Sequence, residues 1–122
     1  MVLLIDAANV VGSRPTGWWR DRAKAAAEFV EQVRATTAAG GLTPPVVVVL
    51  EGVARQGVDE DVTDGVEVVH APREGDETLV ALASTAAEPV LLVSADKALG
   101  ERCRAIGSEV VGPAWLLSRL LS

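Results

Sequence analysis

The stretch LLIDAANVVGSRPTGWWR, residues 3–20, decides the fold. Four apolar residues, Val2 to Ile5, run straight into Asp6, and the chain then breaks into a loop bearing Gly12, Pro15 and Gly17. A short aliphatic run bounded by turn residues reads as a buried strand. A carboxylate at the carboxyl end of such a strand sits where open α/β sheets hold their ligands. The same arrangement recurs downstream. Pro44-Pro45 precedes VVVVL (46–50), which ends at Glu51-Gly52, and Pro89 precedes VLLVS (90–94), with Asp96 just beyond it. Val66 to Val69 form a further strand closed by Ala71-Pro72, and Glu109 to Val111 a short fifth one.

Helical patterns lie between these strands. From Trp19 or Arg20 to Ala38, the residues Ala26, Phe29, Val30 and Val33 recur at i, i+3, i+4, i+7, a single apolar stripe, and Gly40-Gly41 stops it. Gly75-Asp76-Glu77 opens a helix with Leu79, Leu82, Ala83 and Ala86 on its apolar face. Lys97 to Ile106 forms another, and Pro113 fits the first turn of a last one carrying Trp115, Leu116, Leu117 and Leu120. A short helix is expected near Val53, followed by an acidic, solvated turn holding Asp59, Glu60, Asp61 and Asp64. Alternating strands and helices predict an α/β fold, a three-layer α/β/α sandwich around a mostly parallel sheet. In the common strand order 3-2-1-4-5, Asp6 and Asp96 face each other across the crevice at the switch point.

At 122 residues the chain reads as one domain, 1–122, with 49% hydrophobic residues to fill its core. No apolar run reaches membrane-spanning length, the start lacks a basic leader, and the lone Cys103 makes neither an internal disulfide nor a zinc site. These features predict a cytoplasmic protein without a membrane partner. A net charge of −6 argues against an indiscriminately basic nucleic-acid surface, yet Arg14, Arg20, Arg22 and Lys24 cluster just after the first strand, beside Trp18 and Trp19. Cations next to aromatic rings suit phosphates and unpaired bases.

Parallel strands share their carboxyl ends, so Asp6, Glu51 and Asp96, with Asp76 and Glu77 at a helix start, belong to one edge of the sheet. Two carboxylates ~5 Å apart repel by roughly 3 kcal/mol at an effective dielectric near 20. Such a group protonates or splays unless a cation joins it. Oxygen ligands without His or Cys companions select Mg²⁺ or Mn²⁺ over Zn²⁺. A cation held in this way serves phosphoryl chemistry. Strand-end acids also cap helices, so each residue has a purely structural alternative. Asn9 and Ser94 are candidate supporting residues, whereas His70, the only histidine, reads as a half-buried side chain.

LLIDAANVVGS near the start, GDETLVALA in the middle and VLLVSADKALGERCRAIGSEVVGPAWLL at the end resemble PIN-like nucleases, specifically the NYN branch and its YacP-like bacterial members. The resemblance implies a ribonuclease whose clustered acids bind Mg²⁺ or Mn²⁺, with endonucleolytic cleavage the expected mode. Asp6 matches the first-strand acid of the family and Asn9 the Asn three residues later. Glu51 takes the place of an Asp after the second strand. Asp76 and Glu77 match the paired acids of the mid-chain helix, and Ser94 and Asp96 the Ser/Thr-x-Asp after the fourth strand. On this reading Asp6, Asp76, Glu77 and Asp96 are catalytic, Glu51 joins them as a metal ligand, and Arg14, Trp18, Arg20, Arg22 and Lys24 bind RNA.

Two departures stand out. DAAN replaces the usual DGYN of YacP-like proteins, and Lys97 and Ala98 stand where a further acid is expected. A non-catalytic PIN-like module that binds RNA or a protein partner therefore remains the alternative, as does a homo-oligomer. The absence of a Gly-rich turn after the first strand argues against a dinucleotide enzyme.

Overall fold

The computed structural model describes residues 1–121. Among the described residues, six strands and five α-helices follow the chain as β1 (Val2–Asp6), α1 (Ala7–Gly12), α2 (Arg22–Ala38), β2 (Val46–Leu50), a two-residue β3 (Val62–Thr63), β4 (Val66–His70), α3 (Gly75–Thr85), β5 (Val90–Val93), α4 (Lys97–Ala105), β6 (Glu109–Val111) and α5 (Pro113–Leu117). The sheet runs β3-β4-β2-β1-β5-β6. Every pairing is parallel except that of β3 with β4. With β3 set aside, the order is the expected 3-2-1-4-5, and the α/β architecture stands as predicted.

Side chains alternate across each strand, and the alternation divides the core into two layers. Leu3, Ile5, Val46, Val48 and Leu50 pack on one face against Phe29, Val30 and Val33 of α2. Leu4, Val49 and Leu92 pack on the other against Leu79 of α3 and Leu99 and Cys103 of α4. Helices therefore cover both faces, which leaves the carboxyl edge of the parallel strands as the open rim.

Three local expectations need correction. Residues after Asp6 do not enter a loop at once: Ala7–Gly12 form a helix, capped by Asp6 itself. The long helix starts at Arg22, not at Trp19 or Arg20, because the Asp21 carboxylate accepts the Lys24 N–H at 3.0 Å and caps it. Trp18–Arg20 form a separate single 3-10 turn. The acidic turn is structured as well. Asp64 and Gly65 both take positive φ (54° and 78°), the two-residue turn that joins β3 to β4. Asp61 pairs with Arg34 at 2.6 Å, and Glu60 accepts the His70 N–H at 2.8 Å.

The expected helix near Val53 is a 3-10 segment, Gly52–Gly57, lying against α2. The approach is closest at Gly57, where a Cβ would collide with the backbone carbonyl of Ala23. Neither backbone can yield without shifting its element, so Gly57→Ala should destabilise the protein by about 3 kcal/mol, the upper range for overpacking. Urea unfolding monitored by circular dichroism measures it; a loss below ~1 kcal/mol would show that the segment relaxes freely.

Candidate active site at the carboxyl edge of the sheet

The sheet reverses its winding between β1 and β5, and the side chains that meet there come from both. Asp6 is 6% exposed. Its Oδ2 accepts the Ser94 hydroxyl at 2.8 Å and its Oδ1 the Asn9 N–H at 3.4 Å. Ser94 in turn accepts the Asp96 N–H at 3.1 Å. Asp96 Oδ1 accepts the Leu99 N–H at 3.1 Å and so caps α4. Asn9 does not orient Asp6 through its amide; its Oδ1 accepts the Ala95 N–H at 2.7 Å and ties α1 to the loop after β5. The result is one short relay, from Asn9 and Asp6 on one strand's end to Ser94 and Asp96 on its neighbour's.

Charge around this relay is one-sided. Burial pushes the Asp6 carboxyl up to about 6, partly offset by the Ser94 and Asn9 hydrogen bonds, and the negative charges of Glu51 and Asp76 push it further up. Asp76 is likewise raised, first by burial, then by Asp96 and Glu74, with Arg102 acting against them. Among the described residues, none of Asp6, Glu51, Asp76 and Asp96 takes part in an ion pair. Glu51 leans over the start of α3. A Cβ at residue 75 would stand 2.9 Å from Glu51 Oε1, so glycine there makes the room the carboxylate occupies. Sequence reasoning missed both this role of Gly75 and the contribution of Glu74.

The remaining candidates are dispersed. Glu77 is exposed, and both its oxygens receive Arg102 of α4, at 2.7 and 3.1 Å, which holds its carboxyl below the usual range. It stands apart from the acids that act on Asp6. Arg14 donates to Gln32 at 2.9 Å and lies over the Phe29 ring, bound into the surface of α2. Arg22 lies over Trp18, with 5.5 Å from its guanidinium carbon to the ring centroid, and Arg20 over the exposed Trp19 at 5.8 Å. Lys24 is exposed on the first turn of α2. Arg22 and Trp18 line a pocket that also takes in Glu51 and Ala7, whereas Arg14 borders a different hollow with Glu28 and Glu31. His70 Nε2 lies 2.6 Å from the Val58 carbonyl oxygen, so that nitrogen carries the proton and the ring serves the hairpin.

As a cation site the edge is open. Among the described residues, no three Asp, Glu, His or Cys side chains converge into a ready-made metal cage. The donor chemistry nonetheless fits a hard divalent ion, because all four unpaired groups are carboxylates and one is buried against its ionisation preference. Among the described residues, no helix is long and apolar enough to cross a membrane.

No protein-family model matches the chain, and no curated protein matches it at a significant level. Among solved structures, a mutant form of Rae1 (YacP) from Bacillus subtilis is similar, with a TM-score of 0.71 at 18% sequence identity. The match covers 96% of this chain and 72% of that one. The likeness is one of fold.

Proposed function

We propose that the chain is a Mg²⁺- or Mn²⁺-dependent ribonuclease of the PIN-like, NYN kind, acting in the cytoplasm on RNA. The observation that carries the reading is Asp6: a buried carboxylate at the switch point of the sheet, held by neutral donors and faced by further carboxylates instead of a cation. Capping α1 alone does not call for the further carboxylates, Glu51 and Asp76, which make the ionised form of Asp6 still less favourable. Asp6, Glu51, Asp76 and Asp96 are the residues that would hold the ion, while Glu77 stays with Arg102. A bound divalent ion supplies an activated water and charge stabilisation for a phosphate in displacement. The Ser94 hydroxyl and the Asn9 N–H hold the two Asp6 oxygens, and the Asn9 side chain ties α1 to the loop after β5, so the carboxylate is oriented before substrate arrives. Arg22 and Trp18 line the pocket that includes Glu51 and, with Arg20 and Lys24 nearby in sequence, would hold neighbouring nucleotides.

The test is cleavage of labelled structured and unstructured RNAs in Mg²⁺, Mn²⁺ or chelator, beside Asp6→Asn. Cleavage that depends on the cation and on Asp6 is the expected result. RNA binding without any turnover in the parent protein would instead establish a non-catalytic module.

The arginines make a separable expectation. Arg22→Ala should weaken RNA binding and lower the salt slope of log K by about one. Arg14→Ala should leave both unchanged, since Arg14 already bonds Gln32 and borders a hollow carrying Glu28 and Glu31. Fluorescence anisotropy titrations over a salt series compare the two. An equal loss in both variants would place the RNA path across the outer face of α2.

A further inference from the structure

The pocket beside the acidic edge has a makeup the hydrolytic reading does not use. It measures ≈ 220 Å³ and lies between α1, Trp18, α2 and the segment after β2. Small apolar side chains line most of it, among them Ala8, Val11, Ala26 and Ala54, with Trp18 and Arg22 present as the flat groups. Its volume falls below the ~300–1,000 Å³ that hold drug-sized ligands, which leaves room for one ring system and little more. Glu51 and Ala7 belong to its wall, and Ala7 directly follows Asp6, so pocket and acidic edge are continuous.

We propose that this pocket receives one unpaired nucleobase of an RNA strand whose backbone passes the acidic edge. The inference rests on the ribonuclease reading and names what that same site accepts. Arg22 already lies over the Trp18 ring, and this flat pair is a stacking surface any base can meet, while apolar walls exclude water from it without reading a hydrogen-bond code. A base within a duplex is stacked on both sides and cannot enter; one in a loop or a single strand can be splayed out. Selectivity would therefore follow strand state more than sequence.

The probe is a U-rich RNA hexamer with 2-aminopurine at one position, moved along the strand in turn, in chelator so that nothing is cut. An abasic residue at the same position and a duplex of the same sequence are the comparisons. The parent protein should quench the fluorescence at one preferred position and bind the abasic strand about tenfold more weakly, the scale of one lost base–aromatic stack. Trp18→Ala should lose the same factor on the intact strand and nothing on the abasic one. Ala8→Leu, at an exposed position in the pocket wall, should do likewise by filling the space, and it guards against a folding defect in the tryptophan variant. Equal affinity of the parent for intact and abasic strands, or a preference for duplex, would overturn the base pocket while leaving the ribonuclease reading in place. No binding to any of these RNAs would likewise overturn the base pocket, and the ribonuclease reading stands or falls separately on the cation-dependent cleavage assay.

Discussion

Asp6→Asn is expected to lower RNA hydrolysis by roughly 10³-fold, equivalent to ~4 kcal/mol of transition-state stabilisation, and yet to make the metal-free protein more stable at pH 8. Both effects come from the same charge. The carboxyl is raised from 3.8 to about 6 on folding, so the folded state holds its proton more tightly than the unfolded chain does. A group raised in this way contributes stability that is fully present below its unfolded value and is lost as pH rises through the folded one. That rise corresponds to ~3 kcal/mol, missing above neutrality. Asparagine carries no such penalty. Its amide can still accept from Ser94 but then turns its NH₂ toward the Asn9 N–H, losing a hydrogen bond worth ~1 kcal/mol. That bond is already long at 3.4 Å. The net gain of about 2 kcal/mol should raise Tm by about 7 °C at pH 8 and disappear near pH 4.5, where Asp6 is protonated in the parent as well. Melting curves of both proteins in chelator between these values measure it. An Asn variant less stable than the parent at pH 8 would mean that Asp6 is a structural cap alone.

How far the sequence could carry this picture depends on which interactions are local. The strands announce themselves as Val- and Leu-rich runs between Gly and Pro, and the sheet order follows from crossover rules, so the ends of β1 and β5 come together on paper as they do in space. The hairpin was also within reach. Asp64-Gly65 between Val62-Thr63 and Val66 is the pairing a two-residue turn requires, but the surrounding acids favoured a solvated loop. The Ala7–Gly12 helix is harder to read, being six residues long with Val10 and Val11 inside it. Its cap is the very carboxylate that marks the site, so one residue does two jobs and advertises only one. Glu77 is instructive in another way. Neighbours on a helix point about 100° apart, and here Asp76 turns toward Asp6 and Asp96 while Glu77 turns to Arg102. Its actual partner, Arg102, lies on the next helix and leaves no trace in local sequence. The basic cluster divides for the same reason: Gln32 and Phe29 claim Arg14, and Trp18 claims Arg22.

Mn²⁺ at a hundredfold excess over its dissociation constant should stabilise the folded protein by ~2.7 kcal/mol, or about 10 °C in Tm, because only the folded chain gathers the acids. The gain would arise at the edge where, among the described residues, Asp6, Glu51, Asp76 and Asp96 have no ion-pair partner, because a cation there would relieve the repulsion among them. Asp6→Asn should abolish most of this shift. Glu77→Gln should keep it, since that carboxylate is already matched by Arg102 on the exposed flank of α3 and α4. Comparing these two substitutions separates a specific site from diffuse attraction of a divalent ion to a protein of charge −6. Diffuse attraction would be weakened equally by either loss of charge and would fade with added salt. A shift that survives Asp6→Asn but fails in Glu77→Gln would move the cation to the α3–α4 flank, and the catalytic role given to Asp6 would move with it.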